Sequence, residues 1–93
     1  MQFDKRLRDG IRSGRITCTI RIWHRPHVKV GGTYRMEEGY VVVKSIRHIS
    51  IGDITGELAR RSGFEGVVDL LKVAKHGSGT NVYLIEFDYC EPE

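Results

Sequence analysis

Apolar residues recur at every fourth position from Phe3 through Leu7 to Ile11, a narrow stripe that predicts a surface helix over Phe3–Ser13. Lys5, Arg8 and Arg12 gather on a neighbouring face of that helix. Ser13-Gly14 closes it, Gly14 being suited to a left-handed C-cap. The period then changes from four to two. From Arg15 to Trp23, the apolar residues Ile16, Cys18, Ile20 and Ile22 alternate with Arg15, Thr17, Thr19, Arg21 and Trp23. This predicts a strand with one core face and one face bearing guanidiniums, hydroxyls and an indole.

Downstream, His24-Arg25-Pro26-His27 breaks regular structure, and Val28 to Gly32 reads as an extended approach to a turn. Thr33 to Met36 alternates again, Glu37-Glu38-Gly39 suits a hairpin turn, and Tyr40 to Ile46 is a β-branched run of the kind found in buried strands. Asp53 or Thr55 caps a short helix through Leu58 and Arg61. Ser62-Gly63-Phe64-Glu65 fits a capping box for a second helix, whose core face is Phe64, Val67, Val68, Leu71 and Ala74, with Lys72, Lys75 and His76 near its end. His76 to Thr80 reads as a loop. Asn81 to Cys90 is a closing strand with Tyr83, Ile85, Phe87 and Tyr89 on one face. With no internal repeat or linker, residues 1–93 form a single α+β domain, a curved mixed sheet or partial barrel with flanking helices.

Composition adds two constraints. With 40% hydrophobic and 29% charged residues the chain is ordinary for a globular domain, and no apolar run approaches the roughly 20 residues that span a bilayer. Residues 1–8 contain no apolar signal core, so the expected compartment is the cytoplasm, with no membrane partner. Two cysteines, Cys18 and Cys90, are expected to be free thiols there.

Charge is more informative than its total of +3. Residues 1–36 hold nine Lys/Arg against Asp4 and Asp9, whereas residues 37–93 hold six basic and ten acidic side chains. Seven of the first nine are arginines, whose flat fork pairs with phosphate and stacks on bases. A basic surface aimed at an anionic polymer is one reading, and a solvated helix and strand is the other.

Other constellations carry less. His24 and His27 lie three residues apart across a proline without a neighbouring cysteine or carboxylate, so no metal site is expected and no cofactor is implied. Gly77-Ser78-Gly79-Thr80 follows a helix end and lacks the lysine of a phosphate cradle, which makes it a plain turn. Cys18 points with the isoleucines and has no histidine partner in sequence. Trp23 shares a face with Arg21 and Thr19, where it either stacks on a base or packs on the next loop.

The stretch Gly14-Arg15-Ile16-Thr17-Cys18-Thr19-Ile20-Arg21 resembles the signature of ASCH domains, small β-barrel proteins of the PUA-like superfamily, whose loose pattern is GxKxxExR. It is similar above all to the variant GRKTITIR of the small bacterial N4-acetylcytidine amidohydrolases. Lys29, Gly31 and Arg35 fall where those proteins have a lysine, a glycine and an arginine, and Tyr83-Leu84-Ile85-Glu86-Phe87 resembles their closing strand. The resemblance implies a small PUA-like β-barrel with flanking helices and a cleft associated with RNA or modified nucleosides. It implies catalysis by a lysine, a threonine and a glutamate. Here the threonine is Thr19, Ile16 stands at the lysine, and Gly63 aligns with the glutamate, leaving Glu57 and Glu65 as the candidate carboxylates.

Three readings follow. In the first, an RNA- or nucleotide-binding module, Arg12, Arg15, Arg21, Arg25 and Lys29 engage phosphate while Thr17, Thr19 and Trp23 read a nucleotide. In the second, a small hydrolase acting on an acylated nucleoside or on RNA, Thr19 is the nucleophile with Glu57 or Glu65, and Lys29 or Lys44 stands in for the missing base. In the third, a protein-interaction domain, Glu86, Asp88, Glu91 and Glu93 form an acidic docking surface.

Overall fold

A computed structural model describes residues 2–74 and 79–92. Lys75 and His76, most of the loop expected at 76–80, and Glu93 lie outside the described residues. The elements run α1 (Lys5–Arg12), β1 (Cys18–Trp23), β2 (Thr33–Met36), β3 (Gly39–Ile49), a single 3-10 turn (Ile51–Asp53), α2 (Gly56–Arg61), α3 (Val67–Ala74) and β4 (Asn81–Cys90).

Helix α1 forms where the period-four stripe predicts it, with Leu7 and Ile11 buried. Asp4 caps its start by accepting from the Arg6 amide. Gly14 takes φ +82°, and the amides of Arg15 and Ile16 both return to the Gly10 carbonyl, which turns the chain out of the helix. Regular strand pairing begins only at Cys18, so Arg15 to Thr17 are a lead-in rather than part of β1.

The strands form one curled antiparallel half-barrel in the order β1-β4-β3-β2. All three pairings are antiparallel, so the sheet is not mixed. Met36 faces Gly39 across the two-residue turn Glu37-Glu38, the hairpin the sequence predicts, with Glu37 at φ 55°. The β3–β4 register shifts between Val43 and Ser45, leaving Lys44 as the extra residue of a bulge that bends the strand and strengthens its twist. Strand β4 lies between β1 and β3 and is covered on both faces by packed side chains, Val82 and Leu84 joining one buried cluster and Tyr83 and Ile85 another. Tyr83, Ile85 and Phe87, expected on one face, are buried, and Val82 and Leu84 between them are buried as well. Strand β3 alternates instead, burying Val41 and Val43 but not Val42.

The helical half departs most from its sequence pattern. Thr55 caps α2 through the Leu58 amide as expected, whereas Asp53 belongs to the preceding 3-10 turn, bonded to Ser50. Ser62 is not an N-cap: it ends α2, its hydroxyl donating to the Leu58 carbonyl, and the capping box at Ser62–Glu65 does not form. Helix α3 starts at Val67, which rotates its face so that Leu70 and Ala74 are buried and Val68 is 69% exposed.

A large core joins α1, α2, α3 and the sheet through residues such as Leu7, Ile16, Ile20, Phe64, Leu70 and Leu84. Trp23, Val28, Val43, Tyr83 and Ile85 form a second, smaller cluster. Both cysteines are free thiols, and no helix among the described residues is long and apolar enough to cross a membrane.

Candidate functional site

Strand alternation aims Thr19, Arg21 and Trp23 to one side of β1, and all three line a cleft of about 520 Å³. The N-terminal segment adds Gln2, Phe3 and Asp4 to its lining, and the helical half adds Phe64, Val73 and Ala74. His27 and Val28 come from the loop after β1. Mostly apolar walls with a few convergent polar groups are what a small-molecule site requires, and the volume lies within the roughly 300–1,000 Å³ typical of such sites.

Arg21 is the unusual group. Its Nε donates to Thr19 Oγ1 at 3.3 Å, one terminal nitrogen donates to the Gln2 carbonyl, and the guanidinium lies 5.0 Å from the centre of the Phe3 ring. None of these neighbours is an anion. No ion pair to Arg21 forms among the described residues, and burial lowers its pKa to about 10. The side chain therefore stays cationic at neutral pH while sitting where water solvates it poorly, a condition an incoming anion would relieve. Asp4 does not fill that role. Its carboxylate caps α1 and sits 3.6 Å from Arg6.

Trp23 is 6% exposed, its ring stacked on the His27 imidazole at 4.4 Å between centroids and 10° between planes. It packs on the loop that follows it, as one of its two readings anticipates. The outward imidazole extends this flat aromatic wall toward solvent, because His27 is exposed.

The remaining residues singled out by sequence are not all brought together. Arg12, Arg15, Thr17, Arg25 and Lys29 are exposed and none lines the cleft. Glu57 lies in the exposed first turn of α2, and Glu65 is exposed before α3, so neither lines the cleft with Thr19. Thr19 is 5% exposed, and its hydroxyl accepts from Arg21 Nε. Lys44 reaches Asp88 at 3.7 Å. Among the acidic residues, Glu86 accepts from Ser45 at 3.4 Å and lies 3.9 Å from Arg47, so part of that surface is already neutralised by β3. No cluster of His, Cys, Asp and Glu suited to a metal occurs among the described residues.

The basic N-terminal segment also sorts into two groups. Arg6 is held by Asp69 at 2.8 Å and lies over the Phe64 ring, and Arg8 is held by Glu37 at 3.3 Å. These two brace the fold. Lys5, Arg12, Arg15, Arg21, Arg25, Lys29 and Arg35 make no ion pair among the described residues.

Sequence reasoning missed Gln2, Phe3, His27 and Phe64 as cleft residues. Phe3 and Phe64 carried core signals that they also obey, both being buried. His27 was weighed only as a metal ligand, whereas its signal was an aromatic ring four residues after Trp23 and across a proline turn.

Fold and site together define a small α+β half-barrel with an open, arginine-bearing cleft beside its edge strand. Compared with known family models, curated proteins and solved structures, the chain has no match.

Proposed function

We propose that this protein is a nucleotide- or RNA-binding module that seats one nucleotide in the cleft beside β1. Arg21 and Thr19 meet the phosphate, and the His27–Trp23 stack faces the base. The observation that carries the reading is the Arg21 guanidinium: cationic, partly buried, hydrogen-bonded only to neutral oxygens, and open to the cleft. A preformed cation without a counter-ion among the described residues favours an anionic ligand, and the aromatic wall favours a flat one.

In the same reading the half-barrel is an ASCH-type, PUA-like domain that lacks the catalytic lysine and glutamate. Ile16 and Gly63 stand where the resemblance places the lysine and the glutamate. They are neighbours here: a Cβ on Gly63 would lie 2.7 Å from Ile16 Cδ1. Neither lines the cleft, and the Ile16 side chain belongs to the large core. The hydrolase reading has no comparable support, since no base reaches the Thr19 hydroxyl among the described residues and its guanidinium partner holds its proton at neutral pH.

Trp23 is the sole tryptophan, so its fluorescence reports the site directly. Cytidine 5′-monophosphate and a short single-stranded RNA should each change its emission saturably. Phosphate contact predicts a fall in affinity with salt, with a log–log slope of about −0.7 per phosphate engaged on a single strand. Emission that does not respond to any nucleotide, or a response unchanged by Arg21→Ala, removes the reading.

A further inference from the structure

The cleft does not end at its N-terminal wall. Gln2 and Phe3 also line a second hollow of about 270 Å³, completed by Arg8, Arg35, Met36 and Glu37. The two hollows therefore share one stretch of lining, the Gln2-Phe3 segment.

The charges in the second hollow are unequally committed. Arg8 is tied down twice, to Glu37 Oε1 at 3.3 Å and through Nε to the Phe3 carbonyl at 3.2 Å. Glu37 is the acid that neutralises it. Arg35 remains: it stands on the edge strand β2, is exposed, and makes no ion pair among the described residues. Each hollow thus contributes one uncommitted guanidinium, Arg21 in the first and Arg35 in the second. Aromatic rings stacked for a base occur only in the first, where His27 lies on Trp23.

We infer that the ligand is an oligonucleotide of at least two residues, with one nucleotide in the main cleft and the next phosphodiester carried past the shared Gln2-Phe3 segment to Arg35. This rests on the nucleotide reading of the cleft and extends it: a mononucleotide uses Arg21 alone, whereas a dinucleotide uses both cations. The spacing of two anionic centres by a sugar is what a nucleic-acid strand supplies and a lone phosphate does not.

The experiment is a Trp23 fluorescence titration of the full chain and of Arg35→Ala and Arg35→Lys with three ligands: cytidine 5′-monophosphate, cytidine 5′-diphosphate and the 5′-phosphorylated dinucleotide pCpC. The dinucleotide should bind about tenfold more tightly than the monophosphate, the usual effect of one further charge-assisted hydrogen bond. Its salt dependence should be steeper by about 0.7 in log–log slope. Arg35→Ala should reduce pCpC to the affinity of the monophosphate while leaving the monophosphate unchanged, and Arg35→Lys should keep part of the gain. Three results overturn the inference while the nucleotide reading stands: pCpC binding no better than the monophosphate, the diphosphate gaining as much as pCpC, or Arg35→Ala weakening both ligands alike. If none of the three binds, the nucleotide reading fails first and this inference with it.

Discussion

Arg21 donates through Nε to the hydroxyl of Thr19, two residues earlier on the same face of β1, at 3.3 Å. The pair turns a strand's alternating pattern into a pointed device. The hydroxyl fixes the guanidinium without neutralising it, so the cation is oriented and left in need of a counter-ion. The cost of that arrangement is visible in its pKa, lowered to about 10 by burial.

Replacing Arg21 by Met should therefore stabilise the unliganded protein. The lowered pKa corresponds to roughly 2 kcal/mol of destabilisation once residual solvent contact is allowed for. The sign is fixed by linkage: below pH 10 the folded and unfolded states both hold the proton, so the penalty is constant across the neutral and acid range. As pH rises past about 10, the folded protein sheds the proton before the unfolded chain does, and the wild type recovers stability relative to the variant. Thermal melts at pH 7 should show a gain of several degrees for Arg21→Met, and inorganic phosphate should raise the melting temperature of the wild type only. A variant less stable than wild type at pH 7 would contradict the account.

His27→Ala should separate base recognition from phosphate recognition. Loss of the stacked imidazole uncovers one face of Trp23, so its emission should shift to the red. Affinity for cytidine monophosphate should fall by roughly 1 kcal/mol, the scale of one stacking contact. Protection by inorganic phosphate should not change. Equal losses for both ligands would mean that the ring holds the loop rather than the base.

Gly63 and Ile16 should behave as a coupled pair. Gly63 sits at φ +95°, and a Cβ there would lie 2.6 Å from Leu7 Cδ2 as well as 2.7 Å from Ile16 Cδ1. Gly63→Ala should cost about 2 kcal/mol or more in urea unfolding, combining a left-handed backbone with overpacking. Ile16→Val should recover part of that cost, giving a favourable coupling in the double-mutant cycle, whereas strictly additive losses would disprove the contact.

Asp69 gives a pH-dependent test of the fold rather than of the site. The Arg6 side chain and the Glu65 amide both bond its carboxylate and hold its pKa below the ordinary value. Its stabilising effect is thus present above the unfolded pKa and lost as pH falls through the lower folded one. Asp69→Asn should lower the melting temperature at pH 7, with the difference shrinking as the pH drops into the carboxylate range. A difference that persists at pH 2 would assign the effect to packing.

Much of the fold was legible wherever a single period controls a segment. The Phe3, Leu7, Ile11 stripe and Gly14 marked α1 and its end, and Glu37-Glu38-Gly39 marked the hairpin. Legibility failed where tertiary contacts set the phase. Ser62 satisfies its hydroxyl within α2 and beside the buried Cys18 sulfur at 3.5 Å, so it is not free to cap the next helix, and α3 turns Val68 outward. Strand β4 shows Tyr83, Ile85 and Phe87 on one face in sequence, but the burial of Val82 and Leu84 on its other face comes from packing that no local period reports. For the site, β1 placed Thr19, Arg21 and Trp23 correctly on one side. The exposed arginines 12, 15 and 25 carry the same composition signal without facing the cleft. Charge counts cannot distinguish Arg6, held by Asp69, from Arg21, held by no acid among the described residues.

The central claim is that Arg21 awaits an anionic nucleotide. Titrating the wild type and Arg21→Ala with cytidine monophosphate and short single-stranded RNA, at low and moderate salt, measures it through the single tryptophan at position 23. The account predicts saturable binding by the wild type that weakens with salt, and a loss of at least tenfold in the variant, the effect of removing a charge-assisted contact. Binding of equal strength in both proteins, or no nucleotide-dependent change in the wild type, would contradict it.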